Sequence, residues 1–138
     1  MGLFRTLKRR KLARQPVPSS WLRHLARFAP FFKKLDAVRR TAFLEKLKIF
    51  MAEKHFIAAG GMKLTEQAKV VISAWAVLLV LELDISFYDR LSEIVVYPGD
   101  FLRPDEEDPY LGETHAWGVV VLSWEAVRDP GSGEGYHT

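Results

Sequence analysis

The sequence predicts an α+β fold in which N-terminal helices and one long buried helix pack with two or more buried strands. Apolar residues recur at helical spacing between residues 19 and 56. A further run, Val70 to Leu81, is apolar nearly all round, which is typical of a helix enclosed by other elements. Two short runs at 93–97 and 118–123 are rich in β-branched residues and predict strands.

The overall composition fits one folded domain. The chain has 138 residues, of which 49% are hydrophobic and 27% charged. It has no cysteine, which excludes disulfides and zinc sites built from thiolates and fits a cytoplasmic protein. No secretory signal is visible, and the twelve-residue run from Val70 to Leu81 is shorter than the roughly 20 residues that span a bilayer.

The charge is distributed unevenly along the chain. Residues 1–40 carry a net charge of +11 and residues 41–138 a net charge of −8. We therefore expect residues 1–18 to form a basic, flexible arm and residues 19–138 to form the folded domain. The arm is a solvated tail, or it contacts a membrane through residues 1–15, where four apolar side chains could share one helical face. A nucleic-acid contact is not favoured, because no base-reading motif accompanies the charge. The four apolar residues are Leu3, Phe4, Leu7 and Leu12.

Capping residues predict where the helices begin and end. Ser19 or Ser20 should cap the first helix of the domain, and Pro30 should stop it. Asp36 should cap the next helix, which we expect to end between Phe56 and Ala59 with the Gly60–Gly61 pair as its C-cap. The long apolar helix should then begin after another capping residue. That residue is Thr65, and Glu66 follows it in the first turn.

Both predicted strands are too apolar to leave one face in water, so each should be covered on both faces. Two strands alone make a poor sheet, which indicates that part of the structural unit lies outside these elements. Trp75 is expected in the core, and Trp117 and Trp124, which flank the second strand, either line a cleft or pack on the core. An acidic stretch at 105–108 lacks the ligand spacing of a calcium loop.

Four segments in order resemble one protein family. The first is the run AEKHFIAAGGMKLTEQAKVVISAWAVLLVLEL, residues 52–83. The second is IVVYPGDF, residues 94–101, and the third is GETHAWGVVVLSWEAV, residues 112–127. The fourth is the final RDPGSGEGYHT. Together they resemble the Mlc titration factor A family of zinc-dependent peptidases, also described as anti-repressors. The resemblance runs from about residue 20 to the end and leaves the basic arm outside.

The resemblance implies a zincin-like metallopeptidase fold. In that family a His-Glu-x-x-His helix follows, whose two histidines bind Zn²⁺ while the glutamate accepts a proton from the zinc-bound water. This sequence contains no such motif. It is therefore expected to be the N-terminal part of a longer domain, to bind no zinc through that motif and to be inactive alone. The family further implies an aminopeptidase-like activity or, alternatively, the binding of a transcriptional repressor of glucose-uptake genes.

By the same resemblance, the second strand is the candidate substrate site. In zinc peptidases of this kind an edge strand beside the zinc helix pairs with the extended peptide substrate. The candidate residues are Gly118, where a substrate could approach closely, with Val119, Val120, Val121, His115 and Trp117. The alternative is an interior strand without a ligand.

The remaining sequence signals exclude other chemistries. No two of the four histidines have the spacing of a helical metal pair. His55 should end a helix, and His137 is interpreted as a loop residue. The sequence has neither a phosphate-binding Gly-rich loop nor a Gly-x-Ser-x-Gly elbow, which argues against nucleotide hydrolysis and serine-hydrolase chemistry.

Overall fold

Helices and a small parallel sheet share the part of the chain that the computed structural model describes, residues 2–99 and 118–129. This arrangement confirms the α+β prediction. Short 3-10 turns at Pro30–Lys34 and Ile85–Tyr88 connect longer elements. Within the described ranges, no helix combines the length and the apolar character needed to cross a membrane. The elements are α1 Gly2–Arg14, α2 Ser19–Phe28, α3 Ala37–Glu53, β1 His55–Ala58, α4 Glu66–Leu79, β2 Glu93–Tyr97, β3 Val119–Ser123 and α5 Trp124–Arg128.

Helix α4 is the centre of the core, as its apolar sequence predicted. Helices α2, α3 and α5 all pack against it. Thr65 caps it by accepting a hydrogen bond from the backbone N–H of Ala68 at 3.0 Å, and Asp36 caps α3 in the same way through Arg39. Both predicted caps are therefore confirmed. Seven α4 residues are buried, and they are Ala68, Val70, Val71, Ile72, Ser73, Ala74 and Val77.

Aromatic side chains join the turn after α2 to this core. The ring of Phe31 lies 4.9 Å from that of Trp75 and 5.7 Å from that of Phe43. Trp75 is half-buried and packs against Phe31 beside the core, so its predicted core position is confirmed only in part. Its indole N–H is buried and has no hydrogen-bond partner within the described ranges.

The end of α3 differs from the prediction. The helix ends at Glu53, and residues 55–58 form β1, so the prediction that α3 extends to residues 56–59 was wrong. His55 accordingly lies on a strand and not at a helix end. Gly60 and Gly61, with φ of +58° and +82°, form a turn after β1 and do not cap a helix. Strand β1 is stabilised by main-chain hydrogen bonds to β2. The backbone N–H of His55, for example, donates to Ser92 O at 2.9 Å.

The three strands form one parallel sheet in the order β1–β2–β3. Strand β2 has the predicted bounds, and its alternate residues Ile94 and Val96 are buried. Strand β3 begins at Val119, one residue later than predicted, and Val119 to Leu122 are only half-buried. Strand β3 is thus less covered than its sequence led us to expect.

The start of α2 also differs from the prediction. Its N-cap is Pro18, which has no side chain able to cap, so the prediction that Ser19 or Ser20 is the cap was wrong. Both serines lie in the first turn, and the Ser20 hydroxyl hydrogen-bonds the Glu66 carboxylate, which lowers the pKa of Glu66. Helix α2 ends before Pro30, as predicted.

Residues 2–14, expected to belong to a flexible arm, form helix α1 along α3. The Arg9 guanidinium makes a bidentate ion pair with Glu53 at 2.7 and 2.8 Å and also reaches Asp89 at 2.8 Å. Lys48 on α3 donates to Ala13 O at 2.7 Å. These contacts tie α1 to the domain, although an isolated helix of this length is marginal in water. The predicted domain boundary at residue 18 stays a prediction.

Candidate substrate edge of the sheet

Strand β3 lies at one edge of the sheet within the described ranges, since it pairs with β2 alone. An edge strand presents a row of main-chain N–H and C=O groups that an extended chain can pair with. Edge placement is the geometry that the substrate interpretation of residues 118–121 requires. The residues that point their main-chain groups outward can be identified from the hydrogen bonds of β2.

The main-chain groups of β2 alternate between its two neighbours. Ser92 O accepts from His55 N at 2.9 Å, and Val96 O accepts from Ala59 N at 3.0 Å, so the even-numbered residues face β1. Glu93 N donates to Gly118 O at 3.1 Å, so the odd-numbered residues face β3. Residues two apart on a strand share a direction.

The same alternation divides the candidate residues of β3 into two pairs. Gly118 O faces β2, and the main-chain groups of Val120 therefore face β2 as well. The N–H and C=O groups of Val119 and Val121 point away from β2, toward the open edge. Of the four candidate strand residues, two can thus pair with an added strand and two hold the sheet together.

The reason for a glycine at position 118 is found inside the fold. Its φ is +82°, and a Cβ there would lie 2.2 Å from the carbonyl oxygen of Arg90. The backbone of Arg90, and not a substrate, therefore lies close to Gly118 and explains the glycine. Gly118 O also accepts from Ser92 N at 2.9 Å, which fixes the start of β3 beside β2.

Ser123 closes the other end of the edge. It is buried, and its hydroxyl accepts from Ala126 N at 3.3 Å, which caps the short helix α5. Trp124, the first residue of α5, packs against the hydrophobic core. The core interpretation of Trp124 fits this position. The usable edge of β3 therefore runs from Val119 to Leu122.

The other predicted site residues fall outside the described ranges. His115 and Trp117 precede residue 118, and His137 and the acidic residues 105–108 also lie there. Their proposed roles stay predictions. Within residues 2–99 and 118–129, no group of three or more histidine, aspartate or glutamate side chains could hold a metal ion. The described residues therefore do not fit a zinc centre, and no catalytic step is assigned to them.

A second concave surface, which the sequence did not indicate, lies between α1 and the start of the sheet. This groove of about 890 Å³ is bordered by Phe4 and Lys8 of α1 and by Leu91 and Ser92 before β2. At its base, the buried Lys54 donates to Tyr88 O at 2.7 Å and Leu91 O at 2.6 Å. Burial lowers the pKa of Lys54. The two carbonyl bonds hold the segment that contacts Gly118.

The acidic groups beside the groove are already paired. The hydrogen bonds from Arg9 lower the pKa of Glu53. Burial opposes a similar shift in Asp89, but the bonds and charge of Arg9 outweigh it, so the pKa of Asp89 is also lowered. Arg5 adds a 2.9 Å ion pair to Asp89. The partners lie far apart in sequence, so no local pattern could have revealed this cluster.

Comparison with known proteins identifies relatives of this chain. A family described as "Glucose-regulated metallo-peptidase M90" matches residues 4–137. An uncharacterised protein of Synechocystis is 30% identical over 132 residues, covering 87% of this chain and 48% of that protein. Mlc titration factor A of Klebsiella pneumoniae is 27% identical over 119 residues, covering 78% of this chain and 45% of that protein.

A further relative, Mlc titration factor A of Salmonella arizonae, is 24% identical over 130 residues, covering 86% of this chain and 52% of that protein. The chain thus spans about half the length of the curated relatives it matches. The match also corrects the expected start of the resemblance, because it begins at residue 4 and includes most of α1. Since the match covers nearly the whole sequence, the chain belongs to the glucose-regulated metallo-peptidase M90 family.

Proposed function

We propose that β3 is the substrate-binding edge of a zinc-dependent, aminopeptidase-like metallopeptidase, and that a peptide pairs with the main chain of Val119 and Val121. The observation that carries the proposal is the outward direction of these two residues on a strand that, in the described part of the chain, pairs on one side only. Family membership supports the reaction class. Zinc, the aminopeptidase-like activity and a cytoplasmic location are parts of the proposal.

Main-chain pairing determines what such an edge can recognise. The two outward residues offer two N–H donors and two C=O acceptors, which an extended peptide can meet by adding a strand. These bonds do not depend on peptide side chains, so the edge accepts many sequences. Selectivity then has to come from pockets beside the strand.

Proline substitutions test the outward direction directly. Val121→Pro removes an N–H that none of the described strands uses, and proline is tolerated on an edge strand. We expect this variant to fold and to lose peptide binding. Val120→Pro, its matched control, removes an N–H that faces β2, and we expect it to destabilise the sheet.

Amide hydrogen exchange of the 138-residue chain with an extended peptide gives the readout. Added peptide should protect the Val119 and Val121 amides, and a peptide N-methylated at its pairing positions should not. Val121→Pro binding the peptide as tightly as the unchanged chain would overturn the proposal. Protection of both amides before any peptide is added would indicate an interior strand.

The absence of the metal-binding motif from this sequence leads to a separate expectation. With Zn²⁺ and a chromogenic aminoacyl substrate, the 138-residue chain should show no turnover, because no two histidines have the required spacing. Turnover that a chelator abolishes would contradict this and would require metal ligands outside that motif.

The relatives' names support a second candidate function. Several are called Mlc titration factor A, so binding of a transcriptional repressor is a proposal for this chain as well. A pull-down with such a repressor tests it, and Val121→Pro separates the two candidates. If the repressor is retained equally by the unchanged chain and this variant, its binding surface does not use the open edge of β3. If the chain retains no repressor, this candidate is wrong.

A further inference from the structure

We propose that the outer face of α1 docks on an anionic phospholipid surface, with its first half entering the apolar layer and its second half contacting phosphates. This proposal concerns a site separate from the peptidase chemistry and does not depend on it. Three observations carry it: the fixed orientation of α1, its exposed apolar residues, and its cations that have no carboxylate partner in the described ranges, which an anionic surface would complement.

Polar and apolar contacts fix the orientation of α1. Arg9 is bound to Glu53 and Asp89, Leu12 packs against the core, and Ala13 O accepts from Lys48. These three residues therefore define the inner face of the helix. At 3.6 residues per turn, the opposite face is centred on residues 7, 11 and 14, with residues 3 and 4 beside them and residues 8 and 10 at its margins.

The first half of the outer face is apolar. Leu3, Phe4 and Leu7 are 72%, 79% and 50% exposed, and none is buried by another described element. Single exposed apolar residues are ordinary on a protein surface, but three on adjacent positions of one helix face form a patch. Phe4 and Leu7 also border the open groove beside the end of α3, and all three side chains are exposed enough for a lipid layer to contact them.

The second half of the outer face is cationic. Lys8, Arg10, Lys11 and Arg14 have no carboxylate within ion-pair distance in the described part of the chain. Helix α1 itself contains no acidic residue, and the nearby Glu53 and Asp89 are already paired with Arg5 and Arg9. The charge therefore favours an anionic partner. Nucleic acid would satisfy the cations but would leave Leu3 and Phe4 in water, so a lipid surface fits better.

Vesicle binding by the 138-residue chain tests the proposal. We expect sedimentation with vesicles of phosphatidylcholine mixed with phosphatidylserine and none with phosphatidylcholine alone. Lys8→Gln combined with Lys11→Gln should weaken binding about 20- to 30-fold, since each cation near such a surface contributes roughly fivefold. Lys33→Gln combined with Lys34→Gln is the control, because these exposed lysines lie outside α1.

The apolar half of the face has its own control. Phe4→Ser combined with Leu7→Ser should weaken vesicle binding about tenfold or more, whereas Leu79→Ser, at a residue equally exposed on α4, should leave it unchanged. Phe4→Trp adds a fifth tryptophan, and brominated lipids should quench the emission of this variant more than that of the unchanged chain, which has four. Circular dichroism of each variant shows that folding is intact.

Each alternative has a distinct outcome that overturns the proposal. Equal binding to neutral and anionic vesicles would show that charge does not drive binding. An equal loss of binding in Leu79→Ser would show that the apolar residues of α1 are not the specific contact. Binding to duplex DNA that survives Phe4→Ser with Leu7→Ser, together with no vesicle binding, would assign the cations to nucleic acid. Failure to bind either would also overturn the proposal.

Discussion

Helices α1 and α4 have nearly the same length, 13 and 14 residues, but are held in the protein by opposite means. Half of α4 is buried among other helices, whereas no residue of α1 is buried. Apolar burial fixes α4 from Ala68 to Val77, while α1 depends on Arg9, Leu12 and the Lys48 bond to Ala13 O. We therefore infer that packing against neighbouring helices stabilises α4, and that α1, which has few contacts, can separate from the domain more easily.

The largest expected difference between the two helices is in the free energy of unfolding after apolar atoms are deleted from each. Ile72→Ala on α4, at a residue 3% exposed, should lower the free energy of unfolding by about 2 to 5 kcal/mol because it leaves a cavity. Leu7→Ala on α1 should change it by less than about 0.5 kcal/mol, because that side chain is half in water. Urea unfolding measures both. Equal losses would show that α1 is part of the core.

A smaller effect is expected from two glycines that share a φ of +82°. Gly118→Ala brings a Cβ against Arg90 O, whereas a Cβ at Gly61 would meet no atom of the described residues within 4 Å. Both variants carry the cost of a positive φ, roughly 1 to 2 kcal/mol, and Gly118→Ala should lose about 1 to 3 kcal/mol more through the clash. Thermal unfolding of the pair gives the difference. If the two variants melt together, the contact with Arg90 does not fix the start of β3.

The sequence revealed the elements whose signals are local. Thr65 and Asp36 cap helices through residues three positions further on, and β2 combines an apolar run with a following Pro–Gly pair. Strand β1 was missed because it has four residues, follows a helix directly and depends on β2, which lies over 30 residues later. Helix α1 was expected to be flexible for the same reason, since Arg9 lies 44 residues from Glu53 and 80 from Asp89.

The candidate site was predictable only in part. The strand at 118–123 could be found from its composition, and the resemblance assigned it a substrate role. Which residues face outward could not be found, because that depends on the phase of the bonds between Gly118 and Glu93. A slip of one residue would turn Val120 outward and Val121 inward. The clash that requires Gly118 likewise depends on Arg90, which is distant in sequence.

The ion cluster that holds α1 should respond to mutation less than the core does. Arg9→Gln leaves Glu53 and Asp89 without their shared partner, and we expect a loss of about 1 to 2 kcal/mol, between the values for exposed and buried ion pairs. Arg10→Gln, one position along the same helix and without a carboxylate partner in the described ranges, should have almost no effect. Faster hydrogen exchange in α1, with α4 unchanged, is the expected signature. An equal effect of Arg10→Gln would mean that charge in general, and not this cluster, holds the helix.

The smallest effect is expected from acid, and its sign follows from the lowered pKa values of Glu53 and Asp89. Because each carboxylate is a stronger acid in the folded protein than in the unfolded chain, its contribution to stability is complete above the ordinary Glu pKa of 4.5 and is lost as pH falls further. Glu53→Gln should reduce this acid-dependent loss by up to about 1 kcal/mol, while Glu45→Gln, exposed on the same α3 helix, should not. Hydrogen exchange between neutral pH and pH values below 4.5 should show α1 opening first and α4 remaining protected. If both helices open at the same pH, α1 and the core unfold as one unit, and the ion cluster does not set the stability of α1 separately.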